Sequence, residues 1–374
     1  MSAPYPLCRS VRGMSEASES RTTPMHPWHI AAGAKMGDFA GWDMPLEYPS
    51  GTVTEHRAVR SGCGIFDVSH MGNLYVVGDE AVAGANRILT NDIDRLSDGD
   101  LQYSLLCDES GGVIDDMMVT KLAHDRLMIV PNAANTAAVR DVLVGELGDA
   151  VVDHSDATAI IAVQGPGSVA VLNSLGLPSD HPYMTMHPGT FEGGSVMVSR
   201  SGYTGELGYE LILPAAEAAS LWEALVEVPA VTPAGLGARD TLRTEMGYAL
   251  HGHELTDRIG PVDAMLGWAV AWDKPAFHGR SALTRRRADP GGRRLRGLLF
   301  TGRGIPRPAM SVLSGDRVVG VTTSGTFSPT LKRGIALALI DRDIAVGDEV
   351  EVDVRGRRLG AEVTKPPFVS ASPK

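Results

Sequence analysis

The run Arg285-Arg286-Arg287, followed by Pro290-Gly291-Gly292-Arg293-Arg294, divides the chain into two regions that are patterned differently. It is polar and rich in turn formers, and it reads as a domain boundary. Beyond it come only short strand candidates, at 295–300, 318–323, 335–340, 349–354 and 359–364, spaced by Gly, Pro and Asp turns. Such a series predicts a small β-barrel or sandwich of about 80 residues. Before the break, strands and helices mix. Strands are predicted at 74–77, 101–106 and 113–120, the last two forming a hairpin through Gly111-Gly112, with helices at 80–89 and 133–147. A β-branched strand at 158–163 runs into the Gly165-Pro166-Gly167 turn, and strands at 195–199 and 209–213 precede helices at 215–226 and 239–246. No strict β-α-β rhythm holds, so the class is α+β rather than doubly wound.

Composition narrows the function. At 374 residues the chain can form two or three domains without staples. A net charge of -11 opposes general nucleic-acid binding, which needs a basic face. No apolar run approaches the 18 or so residues of a membrane span. Cys8, Cys63 and Cys107 are odd in number and widely spaced, with no Cys-x-x-Cys pair, which argues against a disulfide framework or a metal ribbon and fits a reducing, cytoplasmic compartment. Residues 1–24 carry Arg9, Arg12 and Arg21 among many serines but lack amphipathic periodicity, and are expected to form a disordered leader; a transit peptide, with a mitochondrial location, is the other reading. The expected division is thus 1–24, 25–285 and 286–374.

Common catalytic signatures are absent: there is no Gly-x-Ser-x-Gly elbow, phosphate loop or dinucleotide fingerprint. His251-x-His253 is half a metal site at most, so no metal ligands are assigned. Asp115 and Asp116 are more informative, because adjacent carboxylates interrupt an apolar strand. Alternation sends them to opposite faces, so one can enter a cleft while the other meets solvent or a partner, and joint action on one atom is disfavoured. A carboxylate at a sheet edge explains them equally well. Between Ser201 and Glu210, glycines recur every three residues and allow close backbone approach to a flat ligand. If Tyr209, Leu211 and Leu213 face the core, Glu210 points the other way with Ile212. Arg239 lies near a helix start. Glu210 and Arg239 either pair with each other or face a ligand.

These segments also carry a family resemblance. Gly33-Ala-Lys-Met-Gly-Asp-Phe-Ala-Gly-Trp-Asp-Met-Pro45, His56-Arg57 with Gly64-Ile-Phe-Asp-Val-Ser-His-Met-Gly72, Gly111-Gly-Val-Ile-Asp-Asp116, Gln164-Gly-Pro-Gly167 and Gly202-Tyr-Thr-Gly205 occur in order. Gly235-Leu-Gly-Ala-Arg-Asp-Thr-Leu-Arg243, Gly302-Arg-Gly-Ile-Pro306 and Thr323-Ser-Gly-Thr-Phe-Ser-Pro-Thr-Leu331 follow. From His29 to Phe368 the chain resembles the T-proteins of the glycine cleavage system, which are tetrahydrofolate-dependent aminomethyltransferases.

The resemblance implies a three-domain cloverleaf with a central folate cleft and a C-terminal β-barrel. It further implies transfer of a methylene carbon from an aminomethylated lipoyl carrier, the lipoylated H-protein, to tetrahydrofolate, with release of ammonia. Asp116 matches the family's essential aspartate. Glu210 and Arg239 match its pterin-binding carboxylate and arginine, and Tyr203, Met71, Tyr103, Val130 and Asn132 match residues lining the cleft. One departure is the terminus, Phe368-Val-Ser-Ala-Ser-Pro-Lys374, where family members commonly carry an aromatic or arginine contact to the folate tail; Arg355, Arg357, Arg358 and Lys365 are the substitutes at hand. The same fold also serves folate-dependent demethylases and a non-catalytic folate-binding branch; the latter has a Lys-Gly-Cys-Tyr-type motif where this chain has Gly202-Tyr-Thr-Gly205.

Overall fold

The computed structural model describes residues 20–229, 231–370 and 373, and its architecture is α+β. Two large sheets, a two-stranded sheet of Lys35–Phe39 and Trp42–Glu47, and a closed barrel organise the described residues. The larger sheet has six strands in the order Met186–Phe191, Gly194–Ser199, Gly208–Pro214, Thr158–Gln164, Cys63–Asp67 and Val231–Pro233, antiparallel except for the final pair. Cys63–Asp67 comes from early in the chain yet pairs with strands about 100 and 170 residues later, which interleaves the first two lobes. The second sheet is antiparallel, in the order Leu101–Cys107, Val113–Ala123, Arg126–Val130, Leu74–Val77 and Val151–Asp153.

Each large sheet buries one face against its own helices. On the larger sheet, Ile161, Val163, Tyr209, Leu211 and Leu213 pack with Leu221, Trp222 and Leu225 of the helix Ala218–Glu227. On the second, Leu74, Val76, Met117, Val119 and Ile129 pack with Val82, Ala85, Val139 and Leu143. The opposite faces meet each other: Phe66, Ile160, Ala162 and Ile212 join Leu101, Met128 and Val130 in a third core, closed by Ala238 and Leu242 of the helix Leu236–Met246. Strand periodicity thus sets which side chains look into the junction between lobes.

Six antiparallel strands close the C-terminal barrel, in the order Arg293–Phe300, Arg333–Asp341, Arg317–Ser328, Ser311–Ser314, Glu349–Val354 and Arg357–Thr364. The barrel is fastened to the helix Leu236–Met246 by polar contacts. Buried Glu245 accepts from the Ser328 hydroxyl and from the amide and hydroxyl of Thr330, and Arg243 donates to Ser324 Oγ at 2.7 Å. The helix that carries Arg239 is therefore held from both sides.

Three expectations need correction. The strand Ser311–Ser314 was not anticipated, because four residues are too few for alternation to register. Arg285, Arg286 and Arg287 form the last turn of the helix Arg280–Ala288, and the break is confined to the residues between Ala288 and Arg293. Basic side chains suit a helix C-terminus, where carbonyl dipoles point outward. Residues 1–19 of the expected leader lie outside the described residues, and its last part is built into the fold. The Arg21 amide donates to Gly41 O, Asp43 N donates to Arg21 O, and the buried Thr23 hydroxyl donates to Asp67.

Candidate active site

Asp115 and Asp116 sit on the strand Val113–Ala123, where odd-numbered residues up to Val119 are buried and even-numbered ones are partly accessible up to Met118. Alternation holds, but its expected consequence does not: Asp115 is fully buried and meets no solvent. The turn before the helix Thr136–Leu147 supplies the polar surroundings it requires. Asp115 Oδ2 accepts from the Asn132 amide at 2.9 Å, and Oδ1 accepts from Asn132 Nδ2 at 2.8 Å and Asn135 Nδ2 at 2.7 Å.

The same Asn132 Nδ2 reaches around the strand to Asp116, donating to its carbonyl at 2.9 Å and to its Oδ1 at 3.2 Å. One amide thus bridges two carboxylates that the pleat directs apart. Asp116 Oδ2 accepts from the Tyr103 hydroxyl at 2.8 Å. Burial, followed by the charge of Asp115, raises the Asp116 carboxyl to about 7, against the hydrogen bond from Tyr103. Burial raises Asp115 as well, with the two asparagine side chains opposing. In turn, burial and then the Asp116 charge hold the Tyr103 hydroxyl far above its usual range, so it remains a donor.

Glu210 occupies the strand Gly208–Pro214, on the face it shares with Ile212. Its Oε2 accepts from Ser201 Oγ at 2.6 Å, and Ser201 is in contact with Ser199 Oγ at 2.7 Å. The glycine loop shapes this corner: a Cβ on Gly202 would stand 2.0 Å from Gln164 Oε1, and Gly205 has φ +80°. Gln164 is buried and holds the loop, donating to Ser201 O and Tyr209 O while accepting from Thr204. Tyr203, in the same loop, donates its hydroxyl to Ala249 O and stacks against Tyr248 at 5.8 Å.

Arg239 lies in the first turn of the helix Leu236–Met246, which starts three residues earlier than expected. Its guanidinium covers the Tyr203 ring at 4.8 Å. Among the described residues Arg239 forms no ion pair with Glu210, and its buried Nη1 has no hydrogen-bond partner. The two charges still sense each other: burial lowers the proton affinity of Arg239, and the Glu210 carboxylate opposes that effect. The simple ion-pair alternative is thereby set aside, and both side chains retain unused polar capacity.

The remaining expected residues are placed as follows. Val130 belongs to the core between the sheets and Met71 packs against it. Tyr103, Asp116 and Asn132 are joined by direct bonds, and the charges of Asp116 and Arg239 both act on Tyr203. Asn135, Ser201 and Trp268 were not anticipated. Trp268 is 66% exposed and stands 5.4 Å from the Tyr103 ring, and no sequence signal distinguishes such a tryptophan from a core residue. His251 donates from Nε2 to Val113 O and His253 approaches Thr323 O at 2.9 Å; among the described residues no group of three or more His, Cys, Asp or Glu is placed to hold a metal. Of the tail substitutes, Arg358 is engaged by Glu351 and Asp316.

Known proteins converge on one family. The GCVT N-terminal domain matches residues 25–274, and the glycine cleavage T-protein C-terminal barrel domain matches 293–370. An aminomethyltransferase from Parafrankia sp. is 52% identical over 365 residues, covering 95% of this chain and 100% of the relative. The aminomethyltransferase of Mycobacterium bovis is 49% identical over 364 residues, covering 96% and 99% respectively. The crystal structure of glycine cleavage system aminomethyltransferase T from Bartonella henselae matches with a TM-score of 0.90 at 35% identity, over 94% of this chain and 99% of that one. The chain therefore belongs to the glycine cleavage T-protein family of aminomethyltransferases.

Proposed function

We propose that the junction between the lobes binds tetrahydrofolate and receives the aminomethyl group of a lipoylated H-protein, with Asp116 as the catalytic carboxylate and Glu210 and Arg239 as the pterin-binding pair. When bound, tetrahydrofolate supplies the nitrogen nucleophile. Overall, the aminomethyl-dihydrolipoyl carrier and tetrahydrofolate give 5,10-methylenetetrahydrofolate, ammonia and the dihydrolipoyl carrier.

The observation that carries the reading is the unspent polarity of Glu210 and Arg239. Arg239 Nη1 is buried without an acceptor, and Glu210 uses Oε2 on Ser201 while Oε1 accepts from no described residue. A carboxylate suits two parallel N–H donors, as on the amino edge of a pterin, and a planar guanidinium suits its oxo and ring-nitrogen acceptors. Tyr203 and Met71 then supply apolar contact, with Val130 behind them.

Asp116 contributes a fixed negative charge. Held by Tyr103 and Asn132, it reorganises little as positive charge develops on the transferring carbon, and in a partly dry site that charge counts for more than in water. Tyr103 spends its hydroxyl on the carboxylate and Asn132 divides its side-chain amide between Asp115 and Asp116, and both line the proposed cleft. The catalytic region is assigned to 25–285 and the C-terminal domain to 286–374, whose barrel strands begin at Arg293 and are fastened to the helix that carries Arg239, and a reducing cytoplasm accords with the free thiols of Cys63 and Cys107.

The test is a donor panel with tetrahydrofolate, following ammonia. Ammonia from the aminomethylated lipoyl carrier supports the reading. Turnover of methylated amines or sulfonium compounds instead would place the chain with the demethylases, and folate binding without turnover of any donor would make it a binding module.

A further inference from the structure

Asp115 is a buried carboxylate, adjacent to Asp116, that the proposed transfer leaves without a role. Its three donors, the Asn132 amide, Asn132 Nδ2 and Asn135 Nδ2, all come from the turn at 132–135, and Asn132 is also the residue that grips Asp116. A side chain employed only to satisfy that turn would need no bridge to its neighbour. We propose that Asp115 is a positioning residue for the transfer: it locks the turn so that the Asn132 amide holds the Asp116 carboxylate against the Tyr103 hydroxyl. This inference rests on the reading of Asp116 as the catalytic carboxylate.

The arrangement resembles a carboxylate dyad in its energetics but differs in geometry. The two groups emerge on opposite faces of one strand, so they interact through Asn132 and through their fields rather than by sharing a proton directly. The groups that face Asp116 are Asp115 and Tyr103, with His251 on the flank and Tyr203 across the cleft. Asp115 is the one neighbouring anion among them, and its charge raises the proton affinity of Asp116 beyond what burial does. Coupled carboxylates titrate as a pair, so removing one displaces the pH dependence of the other.

Two substitutions test the inference, each read as kcat, tetrahydrofolate dissociation constant, pH profile and melting temperature. Asp115→Asn removes the charge and offers a donor to donors, so the Asn132 clamp loosens. The expected result is a loss of about 10–100-fold in kcat, the scale of a misplaced catalytic group, with folate affinity within about threefold of the parent. The acid limb of the profile moves to lower pH, because Asp116 loses its anionic neighbour. Asn135→Ala touches Asp115 alone and is the milder change. It withdraws a donor that stabilises the Asp115 anion, so Asp115 ionises less readily and presses less charge on Asp116; kcat falls by about three- to tenfold and the limb moves to lower pH, by less than in Asp115→Asn.

Lowered melting temperatures with unchanged kcat per folded molecule and an unmoved limb in both variants would overturn the proposal. If Asp115→Asn does not fold, Asn135→Ala alone decides, and an unmoved limb there overturns it. Should Asp116→Asn retain full turnover, the reading of Asp116 fails; should Asp116→Asn lose turnover while neither Asp115→Asn nor Asn135→Ala does, only the positioning role fails.

Discussion

Replacing Glu210 by Gln separates recognition from structure at the proposed pterin site. The substitution keeps the size of the side chain and the acceptor that Ser201 Oγ meets at 2.6 Å. It replaces the other oxygen with an NH2 group, which opposes any ligand donor. A hydrogen bond to a charged group contributes about 1.5–3 kcal/mol, and a donor left unpaired in a dry site adds to the loss. Since Ser201 already uses one oxygen, the cost is about 2–4 kcal/mol, or roughly 30- to 1,000-fold in the tetrahydrofolate dissociation constant. Calorimetric titration gives that constant, and a melting curve on the same preparation gives the structural cost. Because Glu210 forms no ion pair with Arg239 among the described residues, the melting temperature should change little. Unchanged folate affinity with a lowered melting temperature would refute the reasoning and place the pterin elsewhere.

Three other consequences follow from the same geometry. With the Asp116 carboxyl raised to about 7 by burial and by Asp115, the ionised form is lost as pH falls, so kcat/KM should drop about tenfold per unit below that point; a profile flat down to pH 5 would exclude an ionised Asp116 as the active form. Thr23→Val keeps the size of the side chain but removes the hydroxyl that donates to buried Asp67, and should cost about 1–3 kcal/mol in chemical denaturation; a variant as stable as the parent would contradict the assigned contact. Gly202→Ala presses a methyl group on the buried, fully engaged Gln164 and should cost about 1–3 kcal/mol of stability with weakened folate binding, so a variant that melts and binds like the parent would show that the loop relaxes freely.

The fold was legible where side chains alternate and hidden where they do not. Tyr209, Leu211 and Leu213 reveal their strand and the side on which Glu210 lies, and the same logic separates Asp115 from Asp116. The arginines at 285–287 misled, because an exposed helix end with only Leu283 buried has no apolar stripe. Gly235 and Gly237 likewise masked the start of the helix that carries Arg239. Site residues could be named from motifs, but their wiring could not. Asn132 and Asn135 reach Asp115 across 17 and 20 residues, and asparagine in a turn reads only as a turn former. The interleaving of Cys63–Asp67 into the larger sheet is equally invisible, since pairing over that distance leaves no local trace.

Asp116 is the centre of the proposed transfer. Its most direct test is single-turnover ammonia release from the aminomethylated lipoyl carrier by Asp116→Asn with saturating tetrahydrofolate, alongside folate affinity. The substitution preserves shape and removes one preorganised charge, which predicts a rate about 10²–10³-fold below the parent with folate binding largely retained. Release at the parental rate, or a loss explained wholly by weakened folate binding, would contradict a catalytic role for that carboxylate.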